Sequence, residues 1–321
     1  MSGTAAAAGD GRDWQTIELE TDGPVGYLRF NRPDRRNGVT GAMLAEVHDA
    51  LRWVAGRAEI DVLALTGNGP TFCPGADLSR DRESAPRGPA PRESTLPGPE
   101  TYHSAELLRT MPQVTVAVIN GACAGAGFAW AAACDLRVAA DSARFALSFL
   151  ELGLAGELGL AWTLPRLVGG AAARDLLFLP RKLSAAELRD LGFLSAVFPA
   201  ADFAAESGRL LAELAGRGGQ ALRLVKQNLL DAERLPLGPY IDLETGRHQD
   251  MFRGDALART QARLAAQAAR IRGGGSRPSS ARLSGGWPVL GAWQRARRAR
   301  PKACLPAWLR QPGAQSPMPL S

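Results

Sequence analysis

Apolar and polar residues alternate over residues 16–20 and 25–30. With Asp22-Gly23 between them, this predicts two strands joined by a turn. Asn31-Arg32-Pro33-Asp34 breaks the second strand. Over residues 41–56 the apolar positions Met43, Leu44, Val47, Leu51 and Val54 recur at helical spacing. Residues 60–66 (IDVLALT) form a short apolar run ended by Gly67-Asn68-Gly69-Pro70, which predicts a buried strand. A strand–helix–strand order with buried strands predicts an α/β core.

Residues 79–99 are rich in Pro, Arg, Ser, Glu and Gly, and predict a surface loop. A helix is expected over 102–110 and a buried strand over 114–119 (VTVAVI). Residues 120–127 (NGACAGAG) make a small-residue turn that opens an apolar helix at 128–134. Short strands are expected at 136–140 and 143–147. From Glu157 onward the pattern is mainly helical, at 159–168, 171–179, 185–191, 204–215, 221–230, 241–251 and 256–270, with a strand at 195–198.

Charge changes this picture at the C-terminal end. The 321 residues carry a net +6, yet residues 271–321 hold nine Arg/Lys and no acid, which leaves −3 for residues 1–270. A mildly acidic body gives no reason to expect nucleic-acid binding. The basic stretch begins with a linker-like GGGSRPSSARLSGG and holds Trp287, Trp293 and Trp308 without a regular period, so disorder is expected there. A Trp-studded arm for RNA or an acidic membrane is the sharper alternative.

No apolar run is long enough to cross a membrane, and residues 1–13 read as a frayed leader rather than a secretory signal. Cys73, Cys123, Cys134 and Cys304 show no metal-binding or disulfide spacing and fit a reducing cytoplasm. With only His48, His103 and His248, a histidine-centred metal site or triad is not expected.

Two glycine-containing turns follow buried strands: residues 71–78 (TFCPGADL) and residues 120–127. Each can present a backbone N–H where small residues let a ligand approach. Two such groups aimed at one carbonyl oxygen would form an oxyanion hole. Tight packing alone would also explain the glycines. A dinucleotide site is not expected, because GACAGAG lacks the required spacing and an acidic ribose partner.

Several motifs then occur in one collinear order. They are Asn31-Arg32-Pro33, residues 72–78, Val118-Ile119-Asn120-Gly121, Ala133-Cys134-Asp135-Leu136-Arg137, Ala143-Arg144-Phe145, Leu152-Gly153-Leu154 and Leu164-Pro165-Arg166-Leu167-Val168-Gly169. In this order and spacing the chain resembles the enoyl-CoA hydratase/isomerase (crotonase) superfamily over residues 17–251. The resemblance implies an α/β crotonase-type spiral of ββα units with a C-terminal helical region. That divides the chain into a catalytic core (14–200), a helical oligomerisation region (201–270) and the basic tail (271–321). It implies an acyl-CoA thioester substrate, a homotrimer or hexamer, and no cofactor beyond the CoA of the substrate. It also places the oxyanion N–H groups on Ala76 and Ala126.

Hydratases of the superfamily use two glutamates, and the matching positions here are Ala129 and Phe149. Neither side chain can accept a proton from water. Glu157 stands where single-acid members carry a catalytic aspartate, among them dienoyl-CoA and ring-epoxyphenylacetyl-CoA isomerases and a chlorobenzoyl-CoA dehalogenase. One carboxylate suffices to move a proton along a dienolate, so an isomerase is expected ahead of a hydratase.

A hydratase with relocated acids would use Glu151 as the second one. An inactive scaffold or RNA-binding homologue is the alternative of another class. Glu157 could instead serve the positive end of a helix, and Glu151 could be a solvated residue. Trp130, Phe149 and Trp162 are candidates for the acyl pocket, with core packing as the competing role of the tryptophans. Arg32, Arg36 and Arg80 are candidates for the CoA phosphates. His103 is expected at the surface, and Cys73 and Cys123 as small core residues. A tail without acids is also what an out-of-frame reading of GC-rich DNA could yield.

Overall fold

The computed structural model describes residues 6–7, 12–77 and 97–253, with positions 258 and 262, all within one unit spanning residues 1–267. The expected loop lies almost wholly outside the described residues. So do Arg80, most of the expected helix at 256–270, and the basic tail.

The order opens with β1 (Ala6–Ala7), β2 (Ile17–Asp22), β3 (Val25–Phe30), α1 (Gly41–Ala55), β4 (Val62–Gly67) and β5 (Thr71–Cys73). After the undescribed segment come α2 (Ser104–Thr110), β6 (Val114–Ile119), β7 (Ala122–Ala124), α3 (Ala126–Ala133), β8 (Leu136–Ala140) and β9 (Arg144–Ala146). The remainder is α4 (Leu160–Val168), α5 (Gly170–Phe178), β10 (Leu183–Ser184), α6 (Ala185–Asp190), β11 (Ala196–Phe198), α7 (Phe203–Ala215), α8 (Gly219–Ala232) and α9 (Leu237–Arg253).

The strands divide between two sheets. The larger has the order β1-β2-β3-β4-β6-β8-β11, antiparallel at β1-β2-β3 and parallel from β3 onward. The smaller has the order β10-β9-β7-β5, parallel except at β10. Successive turns of the chain add one strand to each sheet, which is the ββα spiral the resemblance implies.

Burial explains why β4 and β6 were legible as continuous apolar runs. Both are buried at every position because both sheet faces are covered. Leu63 and Leu65 point to one side, toward Phe30, Met43 and Val47. Val62 and Ala64 point to the other, where Phe203 and Leu211 of α7 pack with Val116 and Val118. Helix α1 starts on Thr40, whose hydroxyl accepts the Met43 N–H at 3.2 Å.

Three sequence expectations change. Residues 71–78 and 120–127 are not turns throughout, because each contains a three-residue strand too short to show a period. The helix expected from residue 102 starts at Ser104, after a 3-10 turn at Pro99–His103. Within the expected leader, Ala6 and Ala7 pair with Thr21 and Glu20.

Lys226 joins α8 to the body. It is 5% exposed, and its Nζ donates to the Leu108 and Gln113 carbonyls at 3.0 and 2.8 Å and pairs with Asp135 at 2.8 Å. Burial holds its ammonium below the usual lysine range, with Asp135 opposing that shift. Removing the cation would leave three acceptors short of a partner. Lys226→Met is therefore expected to lower unfolding stability by roughly 3 kcal/mol. Denaturant titration checks this, and a loss under about 0.5 kcal/mol would show that the bolt is unimportant.

Candidate active site

The two glycine turns meet backbone to backbone. Strands β5 and β7 run in parallel, with Cys73 opposite Cys123. Gly75 (φ +93°) and Gly125 (φ +51°) sit at the crossing, and both have conformations that favour glycine. A Cβ on Gly75 would lie 3.3 Å from the Gly125 Cα, and one on Gly125 would lie 3.2 Å from the Gly75 Cα. Gly127 packs closely on Cys73: a Cβ there would run into the Cys73 carbonyl oxygen and come within 2.7 Å of its Cβ. Ala76 and Ala126 each follow a crossing glycine by one residue, so the contact brings their peptide units together.

The N–H groups of both alanines are left over from regular pairing. Val39 N–H donates to the Gly75 carbonyl at 2.8 Å, and Asp77 N–H donates to the Val39 carbonyl at 2.9 Å. This bridge uses the neighbours of Ala76, so the Ala76 N–H faces away from Val39. Ala126 is the first residue of α3, where N–H groups have no carbonyl four residues back.

Side chains from the segment between β3 and α1 fix the first turn. Arg32 pairs with Asp77 at 2.8 Å and also donates to the Gly38 carbonyl. The two side chains are only 16% and 6% exposed, so the pair is shielded from solvent. Asn37 donates to the carbonyls of Asn68 and Thr71 at 2.9 and 2.7 Å and accepts the Arg32 N–H at 2.9 Å. Sequence reasoning missed Asn37. Its φ of +61° is a property of the folded backbone, which no local pattern announced.

Glu157 occupies a tightly bent loop. Gly156 (φ +113°), Leu158 (φ +54°) and Gly159 (φ +68°) surround it. A left-handed leucine costs about 1–2 kcal/mol, so packing must hold it there. Leu158 is 4% exposed and belongs to the core. Glu157 precedes α4 rather than lying in its first turn, and its carbonyl accepts the Leu160 N–H at 3.1 Å. The carboxyl is half-buried, and burial raises its pKa above the ordinary glutamate value. Its charge reaches both Cys73 and Tyr102, adding to the upward shift that burial imposes on each. The Cys73 thiol is pushed up to about 12, so it carries almost no thiolate near neutral pH and is no nucleophile.

The remaining candidates divide. Ala129 and Phe149 are buried in the apolar core. Glu151 is exposed on a 3-10 turn at Leu150–Leu152. Trp130 must be corrected as a pocket residue: it is sealed in the core, stacked on Phe30 at 5.2 Å, with its indole N–H on the Ser104 hydroxyl at 2.9 Å. Arg32 has its guanidinium engaged by Asp77 and by the Gly38 carbonyl. Arg36 is exposed, and His103 is at the surface beside Glu106 at 2.7 Å.

Trp162, 45% exposed, lines a cavity of about 450 Å³ between α2, α4 and the end of α8. Its wall includes Tyr102, Leu158 and Gly159, next to Glu157, but neither Ala76 nor Ala126. Among the described residues no cluster of three His, Cys, Asp or Glu side chains could hold a metal ion. None of the described helices is long and apolar enough to cross a membrane.

A two-sheet spiral whose crossing turns lie near one half-buried acid is a fold shared with known proteins. A match to the family described as enoyl-CoA hydratase/isomerase spans residues 20–263, and the chain belongs to this family, within the crotonase superfamily. It is 34% identical over 218 residues to the 1,2-epoxyphenylacetyl-CoA isomerase of Escherichia coli (strain K12), covering 68% of this chain and 82% of that protein. It is 34% identical over 216 residues to the 4-chlorobenzoyl coenzyme A dehalogenase-1 of an Arthrobacter species, covering 66% and 77%. A crystal structure of a putative enoyl-CoA hydratase from Thermobifida fusca YX in complex with acetoacetyl-CoA superposes with a TM-score of 0.66 at 28% identity, covering 74% of this chain and 94% of that one.

Proposed function

We propose that this protein is an acyl-CoA isomerase in which Glu157 alone moves the proton. The supporting observation is that Glu157 is half-buried with a raised pKa, while both hydratase acid positions are apolar and buried. The Ala76 and Ala126 N–H groups donate to the thioester oxygen as negative charge develops on it. Glu157 removes a proton from the acyl chain, and the electron pair of that C–H bond passes into the dienolate. The protonated Glu157 returns the proton at a second carbon, which restores the carboxylate and shifts the double bond. The reaction consumes no water and needs no cofactor.

In deuterated water, a linear unsaturated acyl-CoA is expected to give a product of shifted double bond with at most deuterium-for-proton exchange. Formation of 3-hydroxyacyl-CoA as the main product would replace this reading with hydration by Glu151 and Glu157. Glu151 would then have to act from an exposed turn.

The helices α8 and α9 support assembly as a homotrimer or hexamer. Val225, Leu229, Leu237, Ile241 and Phe252 are 58%, 65%, 73%, 49% and 60% exposed, much apolar surface for one pair of helices. Sedimentation equilibrium should give three or six chain masses, and a monomer mass at micromolar concentration would sink this assignment.

A further inference from the structure

We propose that the cavity beside Glu157 selects acyl-CoA esters with a carboxylate at the far end of the acyl group, read by Arg166 and Arg234. This rests on the acyl-CoA reading above and goes further, to the substrate class.

The cavity has a direction. Tyr102 stands just before α2 and feels the charge of Glu157, while Leu158 and Gly159 lead into α4. These residues mark the end nearest the acid. At the other ends of the same helices, Arg109 and Arg166 both lie over the Trp162 ring, at 4.8 and 3.6 Å from its centre. Seven residues of helix separate the two ends, about 10 Å. That spans a medium-length acyl group.

The far end has a surplus of positive charge. Among the described residues, five side chains of fixed charge line the cavity: Arg109, Arg166, Arg234, Glu106 and Glu233. Three guanidiniums thus face two carboxylates: Glu233 pairs with Arg109 at 2.5 Å, and Glu106 shares a hydrogen bond with the His103 ring at 2.7 Å. Among the described residues Arg166 donates only to the Trp162 carbonyl, at 2.8 Å, and neither Arg166 nor Arg234 pairs with an acid. A guanidinium stacked on an aromatic ring keeps a fixed plane, and its edge N–H groups still suit a carboxylate. The near end offers Leu158, Ala105 and the Tyr102 ring, which suit methylene groups.

Calorimetric titration of the full chain with three saturated esters tests this without turnover: adipyl-CoA, hexanoyl-CoA and phenylacetyl-CoA. Adipyl-CoA should bind at least tenfold more tightly than hexanoyl-CoA. The ratio should shrink as salt rises, and it should fall to within twofold in the Arg166→Gln/Arg234→Gln variant. Equal affinities, a preference for hexanoyl-CoA or phenylacetyl-CoA, or an unchanged ratio in the variant would overturn the inference and leave the acyl-CoA reading standing. Binding of none of the three would overturn both. The salt series needs only the unmodified protein, so a variant that fails to fold does not spare the proposal.

Discussion

Replacing Glu157 with glutamine should abolish isomerisation, lowering kcat by at least about a thousandfold, while acyl-CoA binding persists. A positioned general base contributes typically 10²–10⁴-fold, and in the proposed reaction one carboxylate serves both proton transfers. The amide keeps the size and much of the hydrogen bonding of the side chain, so the loss isolates proton transfer. The pH profile gives a second reading of the same group. Burial raises the Glu157 pKa, so the carboxylate form prevails only above the ordinary glutamate range. The acid limb of kcat/KM should therefore lie at higher pH than for an exposed glutamate, and it should be missing from any residual activity of the variant.

The stability effect has the opposite sign. A carboxyl whose folded pKa exceeds its unfolded value costs stability as pH rises between the two. Glu157→Gln should thus melt at the same or a higher temperature at neutral pH. Activity within tenfold of the parent would defeat the mechanism, and a strongly lowered melting temperature would point to a structural role instead.

Gly127→Ala should also be severe, by another route. Its Cβ would meet main-chain and Cβ atoms of Cys73, and no flexible side-chain end is available to yield. Helix α3 must then move away from β5, and it carries the Ala126 N–H with it. Loss of one donor from an oxyanion hole costs about 10²–10³ in kcat. We expect a loss of that size with KM changed much less, measured on protein whose circular dichroism spectrum is retained. A variant with normal kcat would mean that the crossing of the turns does not position a donor.

Much of the fold was legible because the large sheet has long, buried strands. Residues such as Val62, Leu63, Val116 and Val118 belong to six-residue strands that are buried at every position and largely apolar. The small sheet was legible at β9, inside the strand expected over 143–147, but not at β5 and β7, whose three residues each pass for turns. The site divides along the same physical line. Glu157 could be singled out by its place in a motif, but the meeting of Gly75 with Gly125 joins positions fifty residues apart and leaves no local trace. Arg32 read as a candidate for the CoA phosphates, because its partner Asp77 lies 45 residues further on. Trp130 and Trp162 carry the same ring, and only tertiary packing separates the sealed one from the one at the cavity wall.

The crossing of the two turns has a consequence for how this protein could change over time. The groups assigned to the thioester oxygen belong to the main chain, so substitutions at positions 76 and 126 leave them in place unless the backbone shifts. The group assigned to the proton is a single side chain, carried on the loop from Gly153 to Gly159. Stabilisation of the intermediate is thus inherited with the fold, while the choice of reaction rests on a few exchangeable positions. Drift in that loop could give new chemistry without any new scaffold.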